Sequence, residues 1–192
     1  ACGFESHRPH PRNAAWWVAQ PPTFHISIMP VLTLPELELY RHELREAGQT
    51  LVLTNGHFGL LHVGHLDYLE KARELGDTLV VGVNSDASTR RLKGEGRPIV
   101  PGIERARLLA ALEPVNIFVI FEEDTAIRLV ETLQPEIYVK GGDYAPDQAM
   151  NSKPLHERPA VEAYGGKIVL IDSLPAHSTS ALIRKIKTLQ NS

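Results

Sequence analysis

Two histidines and two glycines lie close together between an apolar run and a segment of helical periodicity. Gly56, His62, Gly64 and His65 all fall within residues 55–65. Glycine lets the backbone approach a ligand closely, and the free N–H groups and dipole at the start of a helix attract phosphate. The segment therefore predicts a phosphate-binding loop, to which His62 and His65 add mobile positive charge.

Two other interpretations of His62 and His65 are open. They are structural histidines at a helix start, or they share a metal ion, because two histidines three residues apart can bind the same ion. A metal site wants a third protein ligand, and no cysteine or carboxylate lies at a suggestive local spacing. Phosphate binding accounts better for the glycine-rich turn, so we expect no metal ligands in this chain.

Two basic residues are further candidates. Lys93 closes a basic run that begins at Arg90 and follows the apolar run 78–83. Such runs are commonly solvated loops, but a position beyond a predicted strand favours a functional role for Lys93. Arg105 either lies on a helix surface or reaches a phosphate, and the sequence favours neither interpretation.

Two more segments carry polar groups, one where a predicted strand ends and one where a predicted helix begins. Lys140, Gly142 and Asp143 combine a cation, backbone access and a carboxylate after an apolar run. This arrangement suits a ribose or a sugar, and a plain turn is the alternative. Ser178 and Thr179 precede a helical repeat, where they form an ordinary N-cap or a phosphate clamp.

Five short apolar runs predict the strands that must position these groups. They cover residues 50–53, 78–83, 116–121, 136–140 and 167–171, and helical segments at 35–47, 66–75, 103–112, 125–133, 159–164 and from 178 onward surround them. Strands that alternate with helices imply right-handed crossovers and a parallel sheet. The sequence therefore predicts a single Rossmann-like α/β domain with helices flanking a parallel sheet.

Polar clusters follow the predicted strands. They cover residues 55–65, 84–93, 122–125 and 140–144, and residues 178–180 add a fifth cluster at a helix start. In parallel α/β sheets, ligands bind beyond the carboxyl ends of the strands. We therefore expect the five clusters to converge on one edge of the sheet.

Length and charge exclude several classes of protein. A chain of 192 residues is long enough for one well-buried domain, which we place at residues 33–192. The net charge of −3 gives no polyanion-binding surface, so nucleic acid is not an expected partner. No apolar run approaches the roughly 20 residues of a membrane helix, and the single cysteine fits a reducing compartment. We expect a cytoplasmic protein with no membrane partner.

The first residues differ from the rest in composition. Residues 1–28 hold both tryptophans and the only cysteine and show no period of a helix or strand. We expect residues 1–32 to be disordered. We interpret residues 1–28 as a translated upstream sequence, with Met29 as the true start.

The histidine segment resembles a known motif. Cytidylyltransferase-like nucleotidyltransferases carry the pattern Gly-x-Phe-Asp-x-x-His-x-Gly-His, and this chain matches it from Gly56 through Phe58 to His65. Gly59 stands where the motif has Asp. That aspartate is thought to order the histidine loop, so its absence lowers the rate or requires another carboxylate.

A wider match points to one branch of that family. The motifs are Thr54-Asn55-Gly56, Arg91-Leu92-Lys93-Gly94, Arg97-Pro98, Val139-Lys140-Gly141-Gly142-Asp143-Tyr144, Tyr164-Gly165-Gly166-Lys167 and Ser178-Thr179. Together they resemble the adenylyltransferases that make ADP-heptose from heptose 1-phosphate. His57 departs from that branch, which often has Cys at this position.

The resemblance implies a reaction and its partners. A sugar 1-phosphate attacks the α-phosphorus of ATP, and pyrophosphate leaves. Mg²⁺ is expected to arrive with ATP, because no carboxylate cage is visible. Relatives often fuse this domain to a sugar kinase, so we expect a separate kinase in the pathway, and by analogy a homodimer.

The resemblance also implies residue roles. His62, His65 and Lys93 are the expected catalytic residues. Expected nucleotide-binding residues are Asn55, Gly56, His57, Phe58, Gly64, Arg105, Lys140, Gly142, Asp143, Ser178 and Thr179. Two alternatives are open: a transferase that uses CTP with glycerol 3-phosphate or a similar small phosphate, and a nucleotide-binding protein that has lost turnover through Gly59.

Overall fold

The computed structural model describes residues 33–141, 154–172 and 174–190. The strands are β1 (Leu51–Gly56), β2 (Thr78–Asn84), β3 (Ile117–Phe121), β4 (Ile137–Gly141) and β5 (Lys167–Ile171). The helices are α1 (Leu34–Glu46), α2 (Val63–Arg73), α3 (Asp86–Lys93), α4 (Gly102–Ala110), α5 (Ile127–Leu133), α6 (Arg158–Ala163) and α7 (Thr179–Gln190). No helix in these ranges is long and apolar enough to cross a membrane. The expectation of disorder for residues 1–32 lies outside the described residues.

The five strands form one parallel sheet with the order β3-β2-β1-β4-β5. The chain builds the sheet outward from β1 in one direction through β2 and β3. It then returns to the other side of β1 to add β4 and β5. The strand order thus reverses between β1 and β4, where open α/β sheets bind their ligands. The predicted Rossmann-like fold is confirmed.

Apolar side chains cover both faces of the sheet. Alternate residues of β1 point to opposite faces, so that Leu51 and Leu53 pack with α1, α5 and α6. Val52 packs on the other face with residues of α2 and α4. Because the central strands are buried on both sides, they read as continuous apolar runs, which is why the sequence revealed them.

Helix α3 corrects the sequence prediction, which treated residues 84–93 as a polar cluster without a helix. The Ser85 side chain caps this helix and accepts a hydrogen bond from the Ser88 N–H at 3.1 Å. Arg90, Arg91 and Lys93 lie in the last turn, where cations interact favourably with the helix dipole. The helix has few apolar residues, so no hydrophobic period marked it.

The polar cluster at residues 122–125 does not line the site, which is a second correction. The Glu122 carboxylate accepts a hydrogen bond from the Ser85 hydroxyl at 2.7 Å. Arg91 donates from Nε to the Asp124 carboxylate at 2.8 Å. These contacts fasten α3 to the end of β3, so the cluster positions a helix that reaches the site.

Gly76, in the turn between α2 and β2, packs closely against β1 and the residue before it. A Cβ at Gly76 would lie 2.7 Å from Val52 Cγ2 and 2.8 Å from the carbonyl oxygen of Thr50. We expect Gly76→Ala to lower the free energy of unfolding by about 1–3 kcal/mol through overpacking. Urea denaturation measures this loss. Gly59→Ala is the control, because its Cβ would meet nothing within 4 Å; an equal loss in both variants would contradict the packing argument.

Candidate functional site

A cavity of about 580 Å³ opens at the carboxyl edge of the sheet, beside the ends of β1 and β4. It is lined by the end of β1 and the loop after it, the first turns of α2, helix α3 with the loop that follows it, the end of β4, and the start of α7. The volume is typical of a small-molecule site. The cavity therefore occupies the crevice that the reversal of strand order predicts.

Most of the predicted site residues meet in this cavity. Eleven of them line it: Asn55, Gly56, His57, Phe58, His62, Gly64, His65, Lys93, Lys140, Ser178 and Thr179. Gly142 and Asp143 lie outside the described residues. Arg105 does not line the cavity. The structure places these residues together, and their roles toward a ligand stay predictions.

The charged side chains among the described lining residues of the cavity are all basic. Lys93, Arg97 and Lys140 line it together with four histidines. None of the lining residues in the described part of the chain carries a carboxylate. The N-termini of α2 and α7 also open onto it, and both dipoles favour an anion. A protein with a net charge of −3 thus concentrates positive groups in one crevice, which suits a ligand with several phosphates.

His62 and His65 form a stacked pair at the start of α2. His62 is the N-cap residue, and the two ring centroids lie 3.9 Å apart with an interplanar angle of 26°. The Nδ1 atoms of both rings are buried and find no hydrogen-bond partner within the described residues. A buried polar atom without a partner is costly. Both residues line the cavity, so the pair can face an anionic ligand at the start of α2.

Burial changes the charge of this pair. Desolvation, assisted by the charge of His62, lowers the pKa of His65 to about 4. Desolvation and the nearby charge of His177 lower the pKa of His62 as well. The expectation that these residues add positive charge is therefore wrong for the ligand-free protein near neutral pH. A phosphate bound beside the two rings would favour their protonation.

Both motif glycines have close neighbours. A Cβ at Gly64 would lie 3.0 Å from the Cβ of His177 and 3.1 Å from Cε1 of His62. A Cβ at Gly56 would lie 3.2 Å from the ring of Phe58. Phe58 itself has a φ of +48°, and its ring centroid is 5.4 Å from that of His65. The loop is therefore folded tightly around the buried Phe58 ring.

Arg105 has a different role from the predicted one. Its guanidinium is 1% exposed and donates to the carbonyl oxygens of His57 at 2.5 Å and Asn84 at 2.9 Å. It also donates to the Val100 carbonyl at 3.0 Å and to the Asp86 carboxylate at 2.7 Å. Protein acceptors thus occupy it, and the prediction that Arg105 contacts the nucleotide is not what the geometry favours. It positions the histidine loop.

The ends of β1 and β4 are joined by side chains. The Tyr138 hydroxyl donates to Asn55 Oδ1 at 2.6 Å, and Tyr138 is fully buried. The buried Lys140 ammonium lies 5.6 Å from the centroid of the Tyr138 ring, within cation–π range. Asn55 and Lys140 therefore reach the cavity from a rigid base.

Helix α7 adds hydroxyls to the cavity but is weakly held. Ser178 accepts a hydrogen bond from the Ala181 N–H at 3.1 Å, and Thr179 donates to the Leu60 carbonyl at 3.4 Å. No residue of α7 is buried, and Leu182, Ile186 and Leu189 are exposed. The start of this helix completes the cavity, while its length lies open on the surface.

Sequence reasoning missed several residues that line the cavity, among them Tyr68, Thr89 and His177. Tyr68 lies one helical turn after His65, and its hydroxyl is 2.6 Å from the Thr54 hydroxyl. The Thr89 hydroxyl lies 3.1 Å from Nδ1 of His57. His177 directly precedes Ser178. Helical spacing would have indicated Tyr68, but the other two contacts depend on α3 and on a turn that the sequence did not reveal.

Comparisons with known proteins give a consistent result. The sequence model described as cytidylyltransferase-like matches residues 53–185. The chain is 54% identical over 141 residues to the Bifunctional protein HldE of Geotalea uraniireducens, covering 73% of this chain and 28% of that protein. It is 51% identical over 142 residues to the Bifunctional protein HldE of Syntrophotalea carbinolica, covering 74% and 28%. The chain therefore spans under a third of the length of these curated relatives.

A solved structure is also similar. The crystal structure of the lipopolysaccharide core biosynthesis protein from Thermoplasma volcanium aligns with a TM-score of 0.53 and 29% sequence identity. The alignment covers 66% of this chain and 98% of that chain. The shared part thus corresponds to nearly the whole of the smaller protein.

The depressed pKa of His65 is open to measurement. Since it is about 4 in the folded chain and about 6.5 in an unfolded one, the unfolded chain binds a proton first as the pH falls. Stability is then lost between pH 6.5 and 4 and is fully present above 6.5. An NMR titration of the histidine rings, assigned with His65→Gln, is expected to show this low pKa and its rise with inorganic tripolyphosphate. A His65 pKa between 6 and 7 in the free protein would contradict the burial argument.

The buried guanidinium gives a second prediction. Arg105→Lys removes most of the hydrogen bonds to the carbonyls and leaves Asp86 poorly paired, so we expect a loss of about 2–4 kcal/mol in the free energy of unfolding. Arg107→Lys is the matched control, because Arg107 is exposed on the same helix. Chemical denaturation of both variants measures the difference. Equal stability of the two would mean that Arg105 does not hold the loop.

Proposed function

Since the chain belongs to the cytidylyltransferase-like family, we propose that it is a nucleotidyltransferase that transfers AMP from ATP to heptose 1-phosphate. The products are ADP-heptose and pyrophosphate. One observation carries the proposal: the crevice at the strand-order reversal gathers cations and two helix N-termini and, among its described lining residues, no carboxylate. Such a cavity suits two phosphorylated substrates side by side.

The choice of sugar rests on similarity. The relatives named Bifunctional protein HldE are about half identical to this chain over the catalytic segment. The similar solved structure is named for lipopolysaccharide core biosynthesis. Both names agree with the sequence resemblance to adenylyltransferases that make ADP-heptose. Because the chain covers only 28% of those relatives, we assign the transferase step alone.

The reaction needs no covalent enzyme intermediate. A phosphate oxygen of the sugar 1-phosphate attacks the α-phosphorus of ATP and forms a new P–O bond. The bond between the α-phosphorus and the bridging oxygen breaks, and pyrophosphate leaves with its electron pair. A phosphate monoester is already largely dianionic near neutral pH. Catalysis then consists of positioning and charge stabilisation, as in other phosphoryl transfers.

In this proposal, the role of each residue follows from its position in the cavity. His62 and His65 donate N–H groups to the triphosphate at the start of α2, where charge develops on the α-phosphoryl group. Lys93, at the end of α3, neutralises the α-phosphate or the sugar phosphate. Ser178 and Thr179 hold the β- and γ-phosphates with the N-terminus of α7. Each role matches a place in the lining of the cavity.

We propose that Mg²⁺ enters as part of the substrate, bound to ATP. Mg²⁺ in proteins prefers carboxylates, waters and substrate phosphates. The described lining residues supply no carboxylate, and no group of three His, Cys, Asp or Glu side chains among the described residues is arranged for a metal. The phosphates are therefore the ion's main ligands.

Gly59 does not leave the histidine loop without an anchor. The Asp86 carboxylate holds the Arg105 guanidinium, which in turn holds the carbonyl of His57, two residues before Gly59. The Asp86 carboxylate, at the start of α3, thus holds the histidine loop through Arg105. This contact supports an active enzyme over a nucleotide-binding protein that has lost turnover.

The proposal is tested by pyrophosphate release from the purified chain. ATP, CTP, GTP and UTP are each paired with heptose 1-phosphate and with glycerol 3-phosphate. Release with ATP and heptose 1-phosphate alone is the expected result. Release with CTP and glycerol 3-phosphate would replace the proposal with a cytidylyltransferase, and ATP binding without release would replace it with a binding protein.

The histidine pair provides the matching variant. His65→Asn is expected to lower kcat by about 10²–10³, the size of losing one charge-stabilising donor, with an unchanged circular dichroism spectrum. The control is His42→Asn, an exposed histidine on α1 at the far end of the strands. Turnover of His65→Asn equal to that of His42→Asn would refute the catalytic assignment.

A further inference from the structure

A tight turn delivers His177 to the mouth of the cavity. The His177 N–H donates to the Leu174 carbonyl at 3.2 Å, with Pro175 and Ala176 as the two central residues. Ala176 has a φ of +64°, and proline followed by a residue of positive φ is typical of a type II turn. A non-glycine residue in this region is strained. Such strain is found where the surrounding structure fixes a functional geometry.

The ring of His177 is tied down at one nitrogen. Its Nδ1 lies 2.7 Å from the Pro175 carbonyl oxygen. A carbonyl only accepts, so Nδ1 carries the hydrogen. The side chain is exposed and lines the cavity. The bond to Pro175 fixes the ring orientation and leaves Nε2 for another partner.

His177 also lies beside the histidine loop. Its Cβ is 3.0 Å from the position that a Gly64 Cβ would take, and its charge lowers the pKa of His62. It therefore sits next to the N-terminus of α2 and immediately before the hydroxyls of α7. The side chain occupies the point where the two helix N-termini meet.

We propose that His177 is a third imidazole ligand of the triphosphate, donating from Nε2 to a phosphate oxygen. The inference rests on the proposed function, because it takes a polyphosphate as the ligand of this cavity. His62 and His65 are partly buried and neutral in the free protein, whereas His177 is exposed to solvent. A phosphate beside an imidazole favours the charged ring, so His177 adds a contact at the mouth of the cavity to those of the more buried pair.

The surroundings of His177 agree with this role. The titratable and charged groups that line the cavity around it are His57, His62, His65, Lys93, Arg97 and Lys140. Among the described lining residues no carboxylate competes for its ring. A purely structural histidine would need only the bond from Nδ1 to Pro175.

The variants are therefore chosen to separate the bond from Nδ1 to Pro175 from the proposed ligand contact of Nε2. His177→Asn places an amide N–H near the Nδ1 position, keeps a donor for the Pro175 carbonyl, and removes Nε2. His177→Ala removes both groups. His42→Ala is the control for loss of an exposed histidine outside the cavity. Circular dichroism and thermal melting identify any variant that fails to fold.

The test measures the Kd of inorganic tripolyphosphate by isothermal titration calorimetry with the full chain. We expect both His177 variants to bind about tenfold more weakly than the wild type, the size of one charge-assisted contact, and His42→Ala to bind like the wild type. Wild-type affinity in His177→Asn, or no binding of tripolyphosphate by the wild type, would overturn the proposal. If His177→Ala does not fold, His177→Asn alone decides.

Pyrophosphate release separates this inference from the reaction. In an active chain, the His177 variants are expected to raise KM for ATP about tenfold and to change kcat less than threefold. A wild type that binds tripolyphosphate through His177 but releases no pyrophosphate would refute the reaction and leave this ligand in place. Full turnover with unchanged KM in His177→Asn would refute the His177 contact alone.

Discussion

The candidate site depends on one buried guanidinium. Arg105 extends from α4 and joins the loop after β1, the end of β2 and the start of α3 through its bonds to His57, Asn84 and Asp86. His57 is far from Asn84 and Asp86 in sequence, and parallel strands alone do not fix the loops that follow them. The donors of an arginine side chain form a planar fork that several acceptors can share. Segments that line the cavity or lead into it are therefore held by a guanidinium that does not itself line the cavity.

Electrostatics in the cavity follow from burial as much as from residue type. The histidine pair at the start of α2 is neutral in the free protein because desolvation lowers both pKa values. The two helix N-termini add partial positive charges that need no proton. The free protein thus avoids the repulsion of several adjacent charged imidazoles.

The fold was predictable because its signals are local. Each strand is a short apolar run, and the ends of β1 and β4 carry Gly56, Lys140 and Gly141 of the site. Helix α3 was missed, since its stability comes from a serine cap and from Arg91 contacts to another loop. Arg105 was misassigned because backbone carbonyls, which no sequence displays, bind its side chain. Only tertiary contacts of this kind show whether a residue lines the cavity or lies behind it.

The exposure of α7 has a thermodynamic consequence for affinity. A helix that buries no residue gains little free energy from docking, so its local opening costs less than global unfolding. Whenever α7 detaches, the cavity loses the hydroxyls of Ser178 and Thr179. For the proposed polyphosphate ligand, the apparent Kd would then be the intrinsic Kd divided by the docked fraction. Anything that covers the exposed stripe of Leu182, Ile186 and Leu189 would tighten ligand binding without touching the ligand.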